Sequence, residues 1–243
     1  LNGVLLFFIS GIGLLLSLLY SGSLRWDLKS SRNYFFYTAF LLTFAGLAGV
    51  IATADAFNAF VFIEISSLGT YILVALGKDK RALLASYKYL IFGTIGATFF
   101  VLGVGILFVL TGSLNFLDIS NRLESLEQPA AHFTAMSFII IGLLIKSAIF
   151  PLHAWLPDSY KYAPAFATCF FSAISTKVSL YLLIRMLFDV GNVNSLIGRS
   201  IIEDIFFFLA LITIFFGSFA AYFEKDIKKL FAYSSISQVG IIL

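Results

Sequence analysis

Eight long apolar runs, separated by short polar punctuation, constrain this chain more than any other feature. They cover residues 4–20, 34–54, 57–77, 87–111, 133–152, 163–188, 202–223 and 230–243. A helix needs about 20 residues to cross the hydrocarbon core of a bilayer. The first seven runs are near that length and the last falls short of it. None alternates with the period of two that a half-buried strand shows, and all are too long for strands. No water satisfies backbone groups inside hydrocarbon, so each run must satisfy its own, which leaves the α-helix. The expected fold is an all-α integral membrane protein embedded in the lipid bilayer. Charged residues make up 12% of the chain, against about 25% in soluble domains, too few to clothe this much apolar surface in water. The formal net charge of +3 points to no nucleic-acid partner, and the single Cys169 excludes an internal disulfide or a cysteine-held cluster.

The loop charges orient the runs. Arg25, Lys29 and Arg32 lie in the first loop, Lys78, Lys80 and Arg81 in the third, Lys161 in the fifth, and Lys225, Lys228 and Lys229 in the seventh. The alternate loops hold only Arg122 and Arg199, with Arg185 near a helix end, so the ratio is ten to three. By the positive-inside rule the odd loops are cytoplasmic and residue 1 is outside. Residue 1 is Leu, with no basic segment before the first apolar run, and the last run is short, so the sequence reads as a fragment of a longer protein rather than one opening on a signal peptide. The external stretch 112–132 carries Asp118, Arg122, Glu124 and Glu127. A short interfacial helix and a plain solvated connection fit it equally.

Three ionisable residues interrupt the apolar runs: Glu64, Lys146 and Lys177. Each costs roughly 2.5–3.5 kcal/mol at a helix centre on insertion scales, so the first reading of such a group is a proton or ion path. Lys146 stands five residues before Pro151, whose ring breaks a helix; the competing reading is a lysine whose stem snorkels to an interface. Lys177 sits midway through its run among Ser172, Ser175, Thr176 and Ser179. That polar band suits an unwound turn, or packing of small hydroxyl residues between helices. Glu64 calls for a nearby cation. Lys88, beside Tyr87 and Tyr89, is either that partner or an interfacial lysine, while Asp55 and Asn58 read as turn residues.

His132 and His153 lie 21 residues apart across one run, about 30 Å along a helix, and so cannot share a haem. No zinc spacing, Walker loop or dinucleotide fingerprint occurs, and no cofactor or metal is expected. His153, beside the Pro151 break, serves either as a proton relay or as a capping residue at the membrane edge.

The run Lys146-Ser-Ala-Ile-Phe-Pro-Leu-His-Ala-Trp-Leu-Pro-Asp158, with Ala163-Pro164 and Ser175-Thr-Lys-Val-Ser-Leu-Tyr-Leu-Leu-Ile-Arg185, resembles the antiporter-like membrane subunits of respiratory complex I, multisubunit sodium/proton antiporters and membrane-bound hydrogenases. Residues 57–68 and 225–240 agree with it as well. The wording around Leu-Pro-Asp and Ser-Thr-Lys-Val is nearest to the D-type antiporter proteins, although Pro164 lacks the second proline common at this helix start. The resemblance implies about fourteen helices in two inverted five-helix repeats. Residues 1–33 would be a lead-in helix and loop, 34–188 the first repeat, and 202–243 the start of the second. It implies a pair between Glu64 and Lys146, a broken helix around Lys177 with breaks at Pro151 and Pro164, and a further ionisable group beyond this sequence. The implied partners are other membrane subunits, with protons and sodium as the ions moved. Activity as an NADH:quinone oxidoreductase would follow by family association only, since no quinone site is visible. The mechanism expected is storage of a proton on Lys146, released toward Lys177 when Glu64 swings to another cation such as Lys88. A non-conducting scaffold is the competing class.

Overall fold

The computed structural model describes residues 2–20, 33–123, 129–190 and 199–243. The first-loop cations Arg25, Lys29 and Arg32, and the acidic Glu124 and Glu127, lie outside the described residues. The helices are α1 (Asn2–Tyr20), α2 (Asn33–Ala52), α3 (Ala56–Ala75), α4 (Arg81–Thr111), α5 (Phe116–Leu123), α6 (Pro129–Lys146), α7 (Leu156–Tyr162), α8 (Ala165–Val190), α9 (Arg199–Phe223) and α10 (Ile227–Ile242). Among the described residues there is no sheet, only an isolated bridge between Asp55 and Asn115. Five of these helices, α2, α3, α4, α8 and most of α9, are long and apolar enough to cross a membrane. Their outward faces carry large apolar groups such as Leu41, Val109, Phe215 and Tyr222. The protein is a multi-pass integral membrane protein.

The turns are built from local polar chemistry. Asp55 caps α3, its Oδ1 accepting from the Asn58 amide at 2.7 Å, so it is the turn residue its position suggested. Asp226 caps α10 in the same way, through the amides of Lys228 and Lys229. Gly112 ends α4 with φ of +67°, the left-handed conformation that glycine adopts without steric cost. Between α4 and α6 the backbones meet closely: a Cβ on Gly142 would stand 2.5 Å from the Gly96 carbonyl oxygen. Small residues permit such approach where no hydrophobic force distinguishes lipid from helix.

The two ends of the bundle differ in charge. One cavity of about 700 Å³ touches Lys78, Lys161, Lys225 and Lys228, so the third, fifth and seventh loops lie together at one end. At the other end Arg122 donates to the Thr111 carbonyl at 2.6 Å, and Arg185 to the Thr53 carbonyl at 2.7 Å. The stretch 116–123 resolves the two readings left open for it: it is the helix α5, with Phe116, Ile119 and Leu123 buried.

Several boundaries differ from those the hydropathy suggests. Helix α4 starts at Arg81, not near Tyr87, and runs 31 residues, about 46 Å. The run 133–152 is not one helix. Helix α6 starts at Pro129 and stops at Lys146, and residues 147–155 are turns that lead into α7. Hydropathy cannot see this stop, since the residues after it are as apolar as those before. Among Ala148, Ile149 and Trp155, none is more than 3% exposed, which is how irregular backbone survives at membrane depth.

Candidate ion-transfer site

The stop at Lys146 is made by backbone geometry. The Ile149 amide bonds the Leu144 carbonyl and the Ala148 amide the Ile145 carbonyl, both at 3.2 Å, the paired bonds of a Schellman cap. Ala148 takes the left-handed position with φ of +58°, where glycine is the usual choice. The Trp155 indole N–H also donates to the Ile145 carbonyl, at 3.1 Å. Lys146 therefore occupies the last turn of α6, whose negative dipole end favours a cation.

Its ammonium meets α3. Lys146 Nζ lies 3.2 Å from Glu64 Oε1 and donates to Ser67 Oγ at 2.6 Å. The lysine side chain is 6% exposed and the glutamate 23%. Ser67 lies 11 residues into α3, about 17 Å along the axis, near the middle of a core about 30 Å thick. The lysine is thus held at depth and does not snorkel. Ser67 carries no signal of its own in the sequence, although it stands three residues after Glu64 and so on the same helix face.

Lys88 does not meet Glu64. Its Nζ pairs with Asp158 Oδ2 at 3.1 Å, and Lys229 takes Oδ1 at 3.2 Å. The reason is register. Tyr71 and Tyr89 pack edge to face with centroids 4.8 Å apart, so Lys88 is level with Tyr71. Tyr71 is seven residues from Glu64, about 10 Å along α3. Tyr89 is likewise no interfacial residue: it is 5% exposed and stacks on Trp155 with centroids 4.1 Å apart and rings 5° from parallel. Burial alone would raise the Asp158 carboxyl, but hydrogen bonds from Lys88 and Lys229 outweigh it and hold the group below the ordinary carboxylate value.

The break around Lys177 takes the form of a π-helical turn, Phe171–Ser175, between α-helical stretches of α8. Pro164 precedes α8 and Pro151 lies in the turns after α6. The widened turn exposes the Ser172 carbonyl, which accepts from Lys177 Nζ. A small cavity of about 10 Å³ connects the two elements, lined by Ser66, Ser67, Tyr89 and Lys146 on one side and Ser175 and Ser179 on the other. His153 packs between the rings of Phe150 and Phe216, with centroids 5.4 and 4.7 Å away. Its Nδ1 has no hydrogen-bond partner among the described residues. Among the described residues no cluster of metal-ligating side chains occurs.

The family model described as NADH:quinone oxidoreductase/Mrp antiporter, TM, matches residues 53–243. The chain belongs to this family. It is 42% identical over 229 residues to NADH-quinone oxidoreductase subunit N of Desulforudis audaxviator, covering 94% of this chain and 45% of that protein. It is 34% identical over 212 residues to a D-type Na(+)/H(+) antiporter protein of Alkalihalophilus pseudofirmus, covering 87% of this chain and 42% of that protein. It superposes with a TM-score of 0.86, at 34% identity, on a chain of the membrane-bound sulfane sulfur reductase, an archaeal respiratory membrane complex, covering 96% of this chain and 46% of that one. The chain spans less than half the length of these relatives. Antiporter and oxidoreductase branches both appear among them, and the identity to the oxidoreductase relative exceeds the identity to the antiporter relative despite the D-type wording of the motifs.

Proposed function

We propose that this chain is part of a proton-translocating or cation/proton antiport subunit in a multisubunit complex of the bacterial cell membrane. The observation that carries the reading is a lysine ammonium, buried at mid-membrane depth, paired with one glutamate and one serine hydroxyl and opening on a polar cavity. Lys146 stores a proton. Glu64 modulates how tightly, since an opposite charge within about 4–6 Å favours the ammonium and its withdrawal favours release. Ser175 and Ser179 give the released proton a polar route to α8, where Lys177 receives it. Lys88 is engaged by Asp158, so the partner that draws Glu64 away is a group outside this chain's described residues or a second lysine brought up by helix motion. His153 is a relay candidate on the strength of its unpaired Nδ1.

In this reading residues 34–188 form a first five-helix repeat and 202–243 open a second. Other membrane subunits supply the rest of the path, and protons, with sodium as the exchanged cation, are the ions moved. The complex I reading shares every residue named here and differs only in what drives the proton. Cation/proton exchange in everted vesicles, with the full-length protein and its partner subunits, tests the assignment. Lys146→Ala and Glu64→Ala are expected to abolish exchange at normal membrane levels. Exchange at the wild-type rate in both would make this chain a scaffold.

A further inference from the structure

The cavity of about 700 Å³ at the lysine-rich end shares no lining residue with the Lys146 void. Four segments far apart in sequence enclose it: the turn after α3, the end of α7, the start of α8 and the connection from α9 to α10. Its charged lining is Lys78, Lys161, Lys225 and Lys228 against Asp79 and Asp226, four minus two, a formal balance of +2. The lysines of the wall are held in place. Lys161 Nζ lies 3.3 Å from Asp226 Oδ2, and Lys228 Nζ donates to the Ala163 carbonyl at 2.7 Å. Both aspartates are engaged locally as well. Asp226 caps α10 through the amides of Lys228 and Lys229, and Asp79 Oδ1 accepts from the Arg81 amide at 2.9 Å. Lys78 and Lys225 are exposed. The backbone of the third loop rests on the end of α7, where a Cβ on Gly77 would overlap the Tyr162 carbonyl oxygen. The cations therefore surround a void whose wall is packed.

Ammonium groups gathered around one void repel one another, and an anion seated among them removes that cost. The volume is that of a small-molecule site, and lysine binds phosphate as a point charge. The lining is not only cationic, since Leu76, Pro164 and Ile227 add an apolar part. Beside it, α9 carries Phe215, Phe219 and Phe223, 74%, 68% and 64% exposed, four residues apart and so on one face. That stripe ends two residues before Lys225, where the cavity begins. A free anion would use the lysines alone, and an acidic peptide would leave the stripe bare. A phospholipid uses both, its phosphate among the lysines and its acyl chains along the phenylalanines.

We propose that this cavity binds the phosphate headgroup of an anionic phospholipid, with the acyl chains lying along α9. Basic pockets between membrane helices take such headgroups. The lipid joins the turn after α3 and the end of α7 to the α9–α10 connection, three segments that otherwise meet through a few partly exposed ion pairs. This site is independent of the ion path read at Lys146.

Lipid binding by the full-length protein in its complex tests this. The complex is stripped of lipid in a neutral detergent and titrated at low salt with spin-labelled phosphatidylglycerol and, separately, spin-labelled phosphatidylcholine. Phosphatidylglycerol is expected to bind more tightly. Lys78→Gln and Lys225→Gln should each weaken it about five-fold, with Lys225→Arg near wild type and Lys80→Gln, at the same end but outside the cavity lining, near wild type too. Equal affinity for the two lipids would overturn the proposal. So would a preference for phosphatidylglycerol that both glutamine variants keep, since the lipid would then sit elsewhere. A loss as large in Lys80→Gln would reduce the effect to diffuse surface charge and overturn the cavity as its source. Displacement of the label by inorganic phosphate, or by a polyglutamate peptide, as readily as by unlabelled phosphatidylglycerol would assign the cavity to a free anion or to an acidic protein segment and overturn the lipid. If Lys78→Gln is not recovered from the membrane, Lys225→Gln decides alone.

Discussion

At the scale of single residues, the charges inside the bilayer are explained by the acceptors gathered around them. Lys146 has a carboxylate and a hydroxyl within 3.2 Å and the end of a helix dipole behind it. Removing one acceptor leaves the ammonium under-satisfied, and a hydrogen bond to a charged group contributes about 1.5–3 kcal/mol. Ser67→Ala is therefore expected to slow exchange about ten-fold, less than the complete loss expected for Glu64→Ala, with protein levels unchanged on a membrane immunoblot. Asp158 makes a second prediction. Its carboxyl is held below the ordinary value by Lys88 and Lys229 against the opposing effect of burial. A carboxyl depressed by folding contributes stability above its unfolded pKa and loses that contribution as pH falls through the folded one. The thermal midpoint of the full-length protein in detergent should exceed that of Asp158→Asn at pH 6, and the gap should close below about pH 3.9. A gap that widened in acid would contradict the sign.

Among the elements, the decisive contact is between α4 and α6, because α6 has to deliver Lys146 to a fixed point on α3. Gly96 and Gly142 let the two backbones touch, and a methyl at position 142 would also stand 2.7 Å from the Phe100 amide nitrogen. Overpacking of this kind costs about 1–3 kcal/mol. Gly142→Ala should lower the detergent melting midpoint and slow exchange together, whereas Gly105→Ala, with nothing within 4 Å of its Cβ, should change neither. The helical runs were legible in the sequence because lipid leaves the backbone no other choice. A break at Pro151 was legible too, but its place directly after Lys146 was not, since the Schellman bonds and the left-handed Ala148 form where Trp155 returns ten residues later to take the Ile145 carbonyl. The π-helical turn at Phe171–Ser175 was foreshadowed only as a polar band; its hydrogen-bond register is set by what packs against it.

Over the whole molecule, ion pairs join α10 to the preceding helices at one end. Asp158 of α7 meets Lys229, Lys161 meets Asp226 at 3.3 Å, and Lys228 donates to the Ala163 carbonyl at 2.7 Å. These groups are partly exposed, so each pair contributes only a few tenths to about 1 kcal/mol and is weakened by salt. A double-mutant cycle of Asp158→Asn with Lys229→Met should give a coupling in that range at low salt, shrinking at about 1 M, read by denaturation of the full-length protein. The sequence by itself determined the helical membrane fold and the three ionisable groups set in apolar surroundings, because composition and hydrophobic length act residue by residue. Only the tertiary structure decided which charges meet. Glu64 and Lys146 are 82 residues apart in sequence and Lys88 and Asp158 are 70 apart. Whether Lys88 serves Glu64 or Asp158 turns on helix register, a few ångströms of axial offset fixed by glycine contacts and stacked rings that no single stretch of sequence encodes.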